Sequence, residues 1–432
     1  MTPPGTRLRL RAPAPPLLRT AERAVPLSDA SVRRRIGWIW ALLYLNVLPY
    51  STKSPLLHLP VSAGKALTQS ALVIAAILAL SINRKALLRP NLFLLLMSLL
   101  CITSVMMSVR GYFGFGSVLR AGRLVLDVGV LWLLTPWWGR DDLLLLRFHR
   151  RALYAVLAVV VAGAAIFPGR AFAQAGGGRL GGTIWPVPPT QVAHYAALLG
   201  GITLVLWFTD LIRPRTAVLT TVGAMALLLL THTRTALIAF LVGVLVAALS
   251  LFLGRQRVRK ALATTVVVVG LVALSFAPFL STWFTRGQTA HELSTFTGRA
   301  AVWAQVKAQP RSEVHLLFGY GMSNDSFNGL PIDSSWYSTY LDQGLVGDVA
   351  DAAVLLLLLL VAGFSPRGPR RAIALFLVVY CALASFTETG LGESSPYLLD
   401  LAVAMSLLMV PTTRPAGELP AGEPSQADPR FG

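Results

Sequence analysis

Long apolar runs, each cut off by a short connector rich in arginine, leave this chain few folds to adopt. The hydrocarbon interior of a bilayer takes about 20 helical residues to cross, and only elements that satisfy their own backbone N–H and C=O groups survive there. Twelve such runs can be marked, at 36–50, 66–82, 91–108, 117–138, 152–168, 190–209, 216–232, 235–253, 261–279, 336–363, 372–386 and 396–411. Several are short for a perpendicular crossing, and Pro49 ends the first early. Soluble domains carry about 25% charged residues. This chain carries 13%, with 55% hydrophobic residues and a mean hydropathy of +0.64. The pattern predicts an all-α, polytopic integral membrane protein with about twelve transmembrane helices and one long extracytoplasmic loop.

The net charge of +19 would suit a nucleic-acid partner. The cations, however, sit in clusters between apolar runs, not on one face interleaved with stacking aromatics, so no nucleic acid is expected. Their placement obeys the positive-inside rule once the N-terminus is put in the cytoplasm. Residues 1–35 read as a disordered basic cytoplasmic tail, which a cleaved signal peptide fits poorly. Residues 36–279 read as transmembrane helices one to nine, and 280–335 as an extracytoplasmic loop with a short amphipathic helix. Residues 336–411 read as helices ten to twelve, and 412–432 as a second disordered cytoplasmic tail. Cys101 and Cys381 lie inside apolar runs and read as small buried hydrophobes.

The cations that break the rule are the informative ones. Arg120 and Arg123 lie near the outer end of the fourth run, spaced to share a helix face, with Asp127 one turn on and able to pair with Arg123. Arg179 stands among glycines in "GGGRLGGTIWPVPPTQVAHY". Arg234 stands in the polar break of "LLLLTHTRTALIAFLVGVL". Arg286, Arg299 and Arg311 fall in the long loop. An arginine at the membrane edge can simply snorkel to the interface. Arginine also binds phosphate bidentately, so an outer cavity lined by these residues suits a pyrophosphate.

Two stretches frame that cavity. "TGRAAVWAQVKAQ" reads as a short amphipathic helix on the membrane surface, with Val302, Trp303 and Val306 on one face. "GLPIDSSWYSTYLDQGLVG" holds Asp333 at the junction of loop and tenth run, then Ser334, Ser335, Trp336, Tyr337 and, deeper, Asp342. Asp333 has two readings: it caps a helix, or it is a carboxylate base that deprotonates a sugar hydroxyl.

Taken in order, these stretches resemble the O-antigen ligase/polymerase (Wzy/WaaL-like) family of polytopic bacterial membrane glycosyltransferases, over roughly residues 175–365. "RLGGTIWPVPPTQVA" is similar to its Arg-Leu-x-Gly loop, and "THTRTALIAFLVGVL" to its Ser-Arg-x-x-Leu hairpin. "TGRAAVWAQVKAQ" with "LFGYGMS" is similar to its Gly-Arg-x-x-x-Trp helix and Phe-Gly-x-Gly turn. "DSSWYSTYLDQGLVG" is similar to its His-Asn-x-x-Leu…Glu-x-Gly-x-x-Gly segment, except that Asp333 stands at the histidine, Ser334 at the asparagine and Asp342 at the glutamate. The resemblance implies a GT-C-like membrane fold in the bacterial cytoplasmic membrane and an extracytoplasmic active site. It implies a polyprenyl-pyrophosphate-linked oligosaccharide donor and a glycan or lipid acceptor, among membrane lipids and other polysaccharide-assembly proteins.

Arg179 and Arg234 would then bind the pyrophosphate, joined by Arg120, Arg123 and Arg299, with Asp333 and Arg234 as the catalytic pair. Trp336, Tyr337 and Asp342 would face the acceptor sugar. No metal or other cofactor is expected, because arginine supplies the positive charge, and direct displacement would invert the anomeric centre. A transporter or flippase of lipid-linked saccharides would use the same arginines without a base. The single asymmetric loop and the lack of an inverted repeat favour an enzyme.

Overall fold

The computed structural model describes residues 30–50, 60–140, 142–173, 178–252, 258 and 298–410. The expected run 261–279, the part of the long loop before residue 298 with Arg286, and the chain ends before 30 and after 410 lie outside the described residues.

The described chain is helical almost throughout. Its helices are α1 (Ala30–Val47), α2 (Val61–Ile82), α3 (Leu92–Val109), α4 (Phe115–Leu134), α5 (Leu144–Ile166) and the single turn α6 (Pro168–Ala171). There follow α7 (Pro189–Phe208), α8 (Pro214–Leu230), α9 (Arg234–Phe252), α10 (Arg299–Ala308), α11 (Glu313–Phe318), α12 (Ser335–Phe364), α13 (Pro369–Ala384) and α14 (Pro396–Leu408). Local chemistry sets many of the starts. Proline opens α7, α8, α13 and α14, where its missing N–H has no intrahelical partner to lose. The Asn91 side chain caps α3 by accepting from Leu94 N at 2.9 Å. α1 begins inside the stretch read from sequence as a disordered tail, and its Arg33 pairs with Asp142 at 2.9 Å.

Among the described residues five helices are long and apolar enough to cross a membrane: Ser62–Ile82, Leu92–Val109, Pro189–Phe208, Arg234–Leu251 and Ser335–Phe364. Twelve spans were expected. Most of the remaining apolar helices are either too short, as α8 and α14 are, or carry several charges, as α1, α4 and α5 do. The apolar faces they turn outward, such as Val218, Leu219 and Val222 on α8, suit contact with lipid and support a membrane protein.

The core is organised around α7 and α14, which are buried on nearly every side. The Phe376 ring of α13 fills notches left by Gly201 of α7 and Gly243 of α9, where a Cβ would come within 1.9 and 3.0 Å of it. Small residues thus let three helices approach closely, the usual device of membrane bundles. A polar node is sealed inside. His194 Nε2 of α7 lies 2.9 Å from Asp400 Oδ2 of α14, and His149 Nε2 of α5 lies 3.4 Å from Asp400 Oδ1. The Tyr44 hydroxyl of α1 is 2.9 Å from His149 Nδ1. Both cysteines are buried and unpaired with each other.

The decisive irregularity is in α12. Gly344 sits at φ 67°, ψ −159°, which breaks the helical ladder in mid-element. The carbonyls of Leu341 and Asp342 thereby accept from Tyr320 N and Gly321 N, both at 2.9 Å. The turn "LFGYG" after α11 is laced into the break. A Cβ on Gly344 would meet Leu317 and Gly319 backbone at 2.5–2.6 Å, and one on Gly319 (φ 72°) would meet Asp342 backbone at 2.3 Å. Only glycine fits either place, for both conformation and space.

Beyond this turn a two-stranded hairpin, β1 (Ser326–Phe327) with β2 (Leu330–Pro331), pairs Ser326 with Pro331 and Phe327 with Leu330. Asn328 and Gly329, both at positive φ, form its two-residue loop. α10 packs its Val302, Val306 and Trp303 against Tyr320, Ile332, Tyr337 and Leu341 in a small second core. Its apolar face was expected on the membrane surface; it is covered by protein instead.

Gly344→Ala and Gly319→Ala are each expected to destabilise the protein by about 2 kcal/mol or more, through backbone strain and overlap. Gly363→Ala, at a position of α12 with open space around it, should be neutral or slightly stabilising. Thermal melting of the three variants in detergent, read by size-exclusion fluorescence, checks the contrast.

Candidate functional site

Hydrogen bonds between turns show which ends of the helices meet. Trp185 Nε1 donates to Pro49 O at 3.0 Å, joining the start of α7 to the end of α1. Thr387 Oγ1 lies 2.7 Å from Thr235 Oγ1, joining the α13–α14 loop to the start of α9. Ser335 N donates to Glu388 O at 3.0 Å, joining that loop to the start of α12. Into this end of the bundle the structure brings Arg179, Arg234, Arg299 and Asp333.

Arg179 precedes α7. Its Nε donates to Thr231 O at 2.9 Å and one terminal nitrogen to Thr233 Oγ1 at 3.1 Å, so the guanidinium closes over the α8–α9 turn. Leu180 N adds a bond to Leu230 O at 3.0 Å. His232, at φ 50°, makes the turn itself, and Arg234 follows as the first residue of α9. Arg299, the first residue of α10, donates from Nε to Asp333 Oδ2 at 3.1 Å. Arg299 lies close enough to Arg179 and to Arg234 for each pair of charges to interact.

Asp333 therefore does not cap α12. Ser334 is the cap residue, with no capping bond from its side chain, and the Ser335 hydroxyl donates to Glu388 O at 2.9 Å. Asp333 itself sits at φ 47°, an unusual conformation for aspartate, directly after Ile332. Ile332 is pinned on both sides: its N–H donates to Asp325 O at 2.9 Å and its C=O accepts from Trp303 Nε1 at 2.7 Å. The hairpin and α10 thus fix the backbone that aims the carboxylate at Arg299.

One acid here escaped the sequence reading. Glu388, in the α13–α14 loop, interacts with Arg299, Asp333 and Arg179 and accepts a hydrogen bond from Thr190. Burial, reinforced by the charge of Asp333, pushes its carboxyl up to about 7 against the pull of the two arginines. Burial lowers the Arg179 guanidinium from its usual value, which Glu388 opposes and Arg299 reinforces. The overlooked signal was two acids, Glu388 and Glu393, in a Gly/Ser-rich connector that the inferred topology puts on the same side as the stray arginines.

Arg120 and Arg123 are not brought into this group. Arg120 grips Met322 O with Nε at 3.1 Å and a terminal nitrogen at 2.7 Å. Arg123 donates to Asn46 Oδ1 at 2.9 Å and Asn46 O at 2.7 Å. The charge of Arg123 still acts on Asp127, as expected, but the hydrogen bond that Asp127 accepts comes from Ser394. Asp342 is buried and accepts from Ser323 N at 3.0 Å, so it anchors the loop rather than facing an acceptor. Around it stand Asp325 and Glu393, hydrogen-bonded to each other, with burial raising both carboxyls, so the pair shares a proton. Of the expected sugar-facing aromatics, Tyr337 stacks on Trp303 at 5.0 Å and Trp336 packs on Phe386 at 6.0 Å.

Residues 217–347 match the model of the O-antigen ligase family. The match holds Arg234, Arg299, Asp333 and the α12 break; Arg179 and Glu388 lie outside it, as does the loop motif around Arg179. No curated protein matches the chain. The family match supports an O-antigen ligase/polymerase-like protein and, with it, a role of ligase or polymerase type in surface polysaccharide assembly.

The Arg299–Asp333 pair is 27% and 38% exposed. A double-mutant cycle on Arg299→Ala and Asp333→Ala should give a coupling of no more than about 1 kcal/mol. Arg179→Ala should cost more, about 1–3 kcal/mol, because two part-buried acceptors of the α8–α9 turn lose their donor. Melting curves of the purified variants measure both.

Proposed function

We propose that the protein is an extracytoplasmic glycosyltransferase of the bacterial cytoplasmic membrane, with both termini in the cytoplasm. It polymerises or ligates oligosaccharide from a polyprenyl-pyrophosphate donor onto a glycan or lipid acceptor during cell-surface polysaccharide biosynthesis. The observation that carries this reading is the gathering of Arg179, Arg234 and Arg299 around Asp333 and Glu388 where the helix turns converge.

Among the described residues three guanidinium groups stand against two acids, a surplus of positive charge fitted to a diphosphate. That charge is most useful when the glycosidic bond breaks, since the leaving pyrophosphate then gains negative charge that preorganised cations stabilise. Direct attack by the acceptor hydroxyl on the anomeric carbon inverts that centre. The hydroxyl needs a carboxylate to take its proton; Asp333 is the one that the sequence singles out, and Glu388 stands beside it. Trp336 and Tyr337, in the first turn of α12, are assigned to the acceptor side in this reading.

A profile of lipid-linked glycans by mass spectrometry tests the reading, in cells carrying Arg234→Ala or Asp333→Asn at normal protein levels. Single lipid-linked repeats should accumulate and long surface glycan should vanish with Arg234→Ala, and fall at least tenfold with Asp333→Asn. A normal profile in the Arg234→Ala strain would remove the basis for glycosyl transfer.

A further inference from the structure

We propose that Glu388 is the catalytic residue that accepts the acceptor hydroxyl's proton, and that Asp333 acts as a positioning residue by holding Arg299; the assignment rests on the glycosyl-transfer reading above. The reaction balances as one displacement. The acceptor O–H bond breaks and its proton goes to the Glu388 carboxylate. The oxygen forms a bond to the anomeric carbon, and the bond from that carbon to the pyrophosphate oxygen breaks. Its electron pair leaves with the polyprenyl pyrophosphate, and Glu388 then returns the proton to water.

The geometry separates the two acids. Asp333 has Oδ2 engaged by Arg299 Nε at 3.1 Å. A carboxylate used that way has one oxygen committed to orienting a cation. Glu388 is fixed through its backbone instead. Its N–H donates to Ala384 O at 3.0 Å, and its C=O accepts from Ser335 N at 3.0 Å and Ser335 Oγ at 2.9 Å. The adjoining Thr387–Thr235 contact ties it to the residue after Arg234. The side chain meets the Thr190 hydroxyl at the start of α7. Main-chain anchors on α12 and α13, with the threonine contact to α9, therefore hold this residue beside the diphosphate-binding arginines.

Its proton affinity also suits the task. A general base works best when its pKa lies near the operating pH. Glu388 is held at about 7 by burial and by Asp333, against Arg299, Arg179 and the Thr190 hydrogen bond. Tyr380 of α13 and Tyr397 of α14 also face it. Only the ionised form accepts a proton, so the rate should fall as pH drops through about 7.

The test uses membranes holding the full-length protein and their endogenous polyprenyl-pyrophosphate oligosaccharides, with product length followed from about pH 5.5 to 8.5. Wild type should lose rate towards tenfold per pH unit below about 7. Glu388→Gln should lose about a hundredfold or more, with Glu388→Asp recovering part. Thr190→Val removes a bond that favours the ionised carboxylate, so it should move the acidic limb to higher pH without loss of protein. Asp333→Asn should raise the donor concentration for half-maximal rate and, by removing a charge that raises the Glu388 carboxyl, move the limb to lower pH.

A Glu388→Gln protein of normal abundance that keeps the wild-type rate and limb overturns the assignment; so does a Thr190→Val limb that does not move. If Arg234→Ala abolishes product while Glu388→Gln does not, only the assignment of the base falls. If Arg234→Ala also leaves product intact, the glycosyl-transfer reading falls with it.

Discussion

Like charges do not gather without counter-charge, and this protein brings two guanidinium groups within reach of a third at one end of a helical bundle. Arg299 feels both Arg179 and Arg234, and in a partly desolvated setting that repulsion is costly. The structure offsets it with two carboxylates and with backbone: Asp333 on Arg299, Glu388 beside Arg299 and Arg179, and the Thr231 carbonyl and Thr233 hydroxyl under Arg179. Among the described residues the cations at this place outnumber the acids, and the proposed diphosphate would match that excess.

Everything local serves to bring those groups together. The α12 break at Gly344 frees two carbonyls, which capture the turn at Gly319–Gly321. That capture sets the position of the hairpin, whose Asn328–Gly329 loop returns the chain to Ile332. Ile332, held by Asp325 and Trp303, then delivers Asp333 to Arg299. Arg311 clamps the same region from below, with one terminal nitrogen on Tyr340 O at 2.8 Å and its guanidinium 3.9 Å from the Tyr340 ring centre. The loop is therefore built from backbone bonds to α12, so α12 must be kinked for the site to exist.

The helices were legible because apolar runs in a membrane chain are hard to mistake. Even the proline that opens α7, α8, α13 and α14 stands at the edge of its run. Arg179, Arg234 and Arg299 were legible as exceptions to a charge rule. What sequence alone did not give was how their donors are spent. Arg120 and Arg123 look the same as Arg179 in one dimension, yet they bind Met322 O and Asn46, whereas Arg179 binds the α8–α9 turn next to Arg234. Asp342 looked like a second active-site acid and is a buried anchor for Ser323. Glu388 was missed because an acid in a short connector carries no motif; only the α13–α14 loop folding onto Ser335 makes it a neighbour of Asp333. Asp333 read equally as cap or as functional acid, and the choice required seeing its carboxylate on Arg299 rather than on the α12 N-terminus.

The most direct measurement is of the ligand that the arginines are argued to hold. Native mass spectrometry of the purified full-length protein, given equal amounts of undecaprenyl pyrophosphate and undecaprenyl phosphate, reports which lipid stays bound. A site built for a diphosphate retains the pyrophosphate at least tenfold better, and Arg234→Ala removes that preference. Equal retention of the two lipids by the wild-type protein, or an unchanged preference in Arg234→Ala, would contradict the diphosphate site.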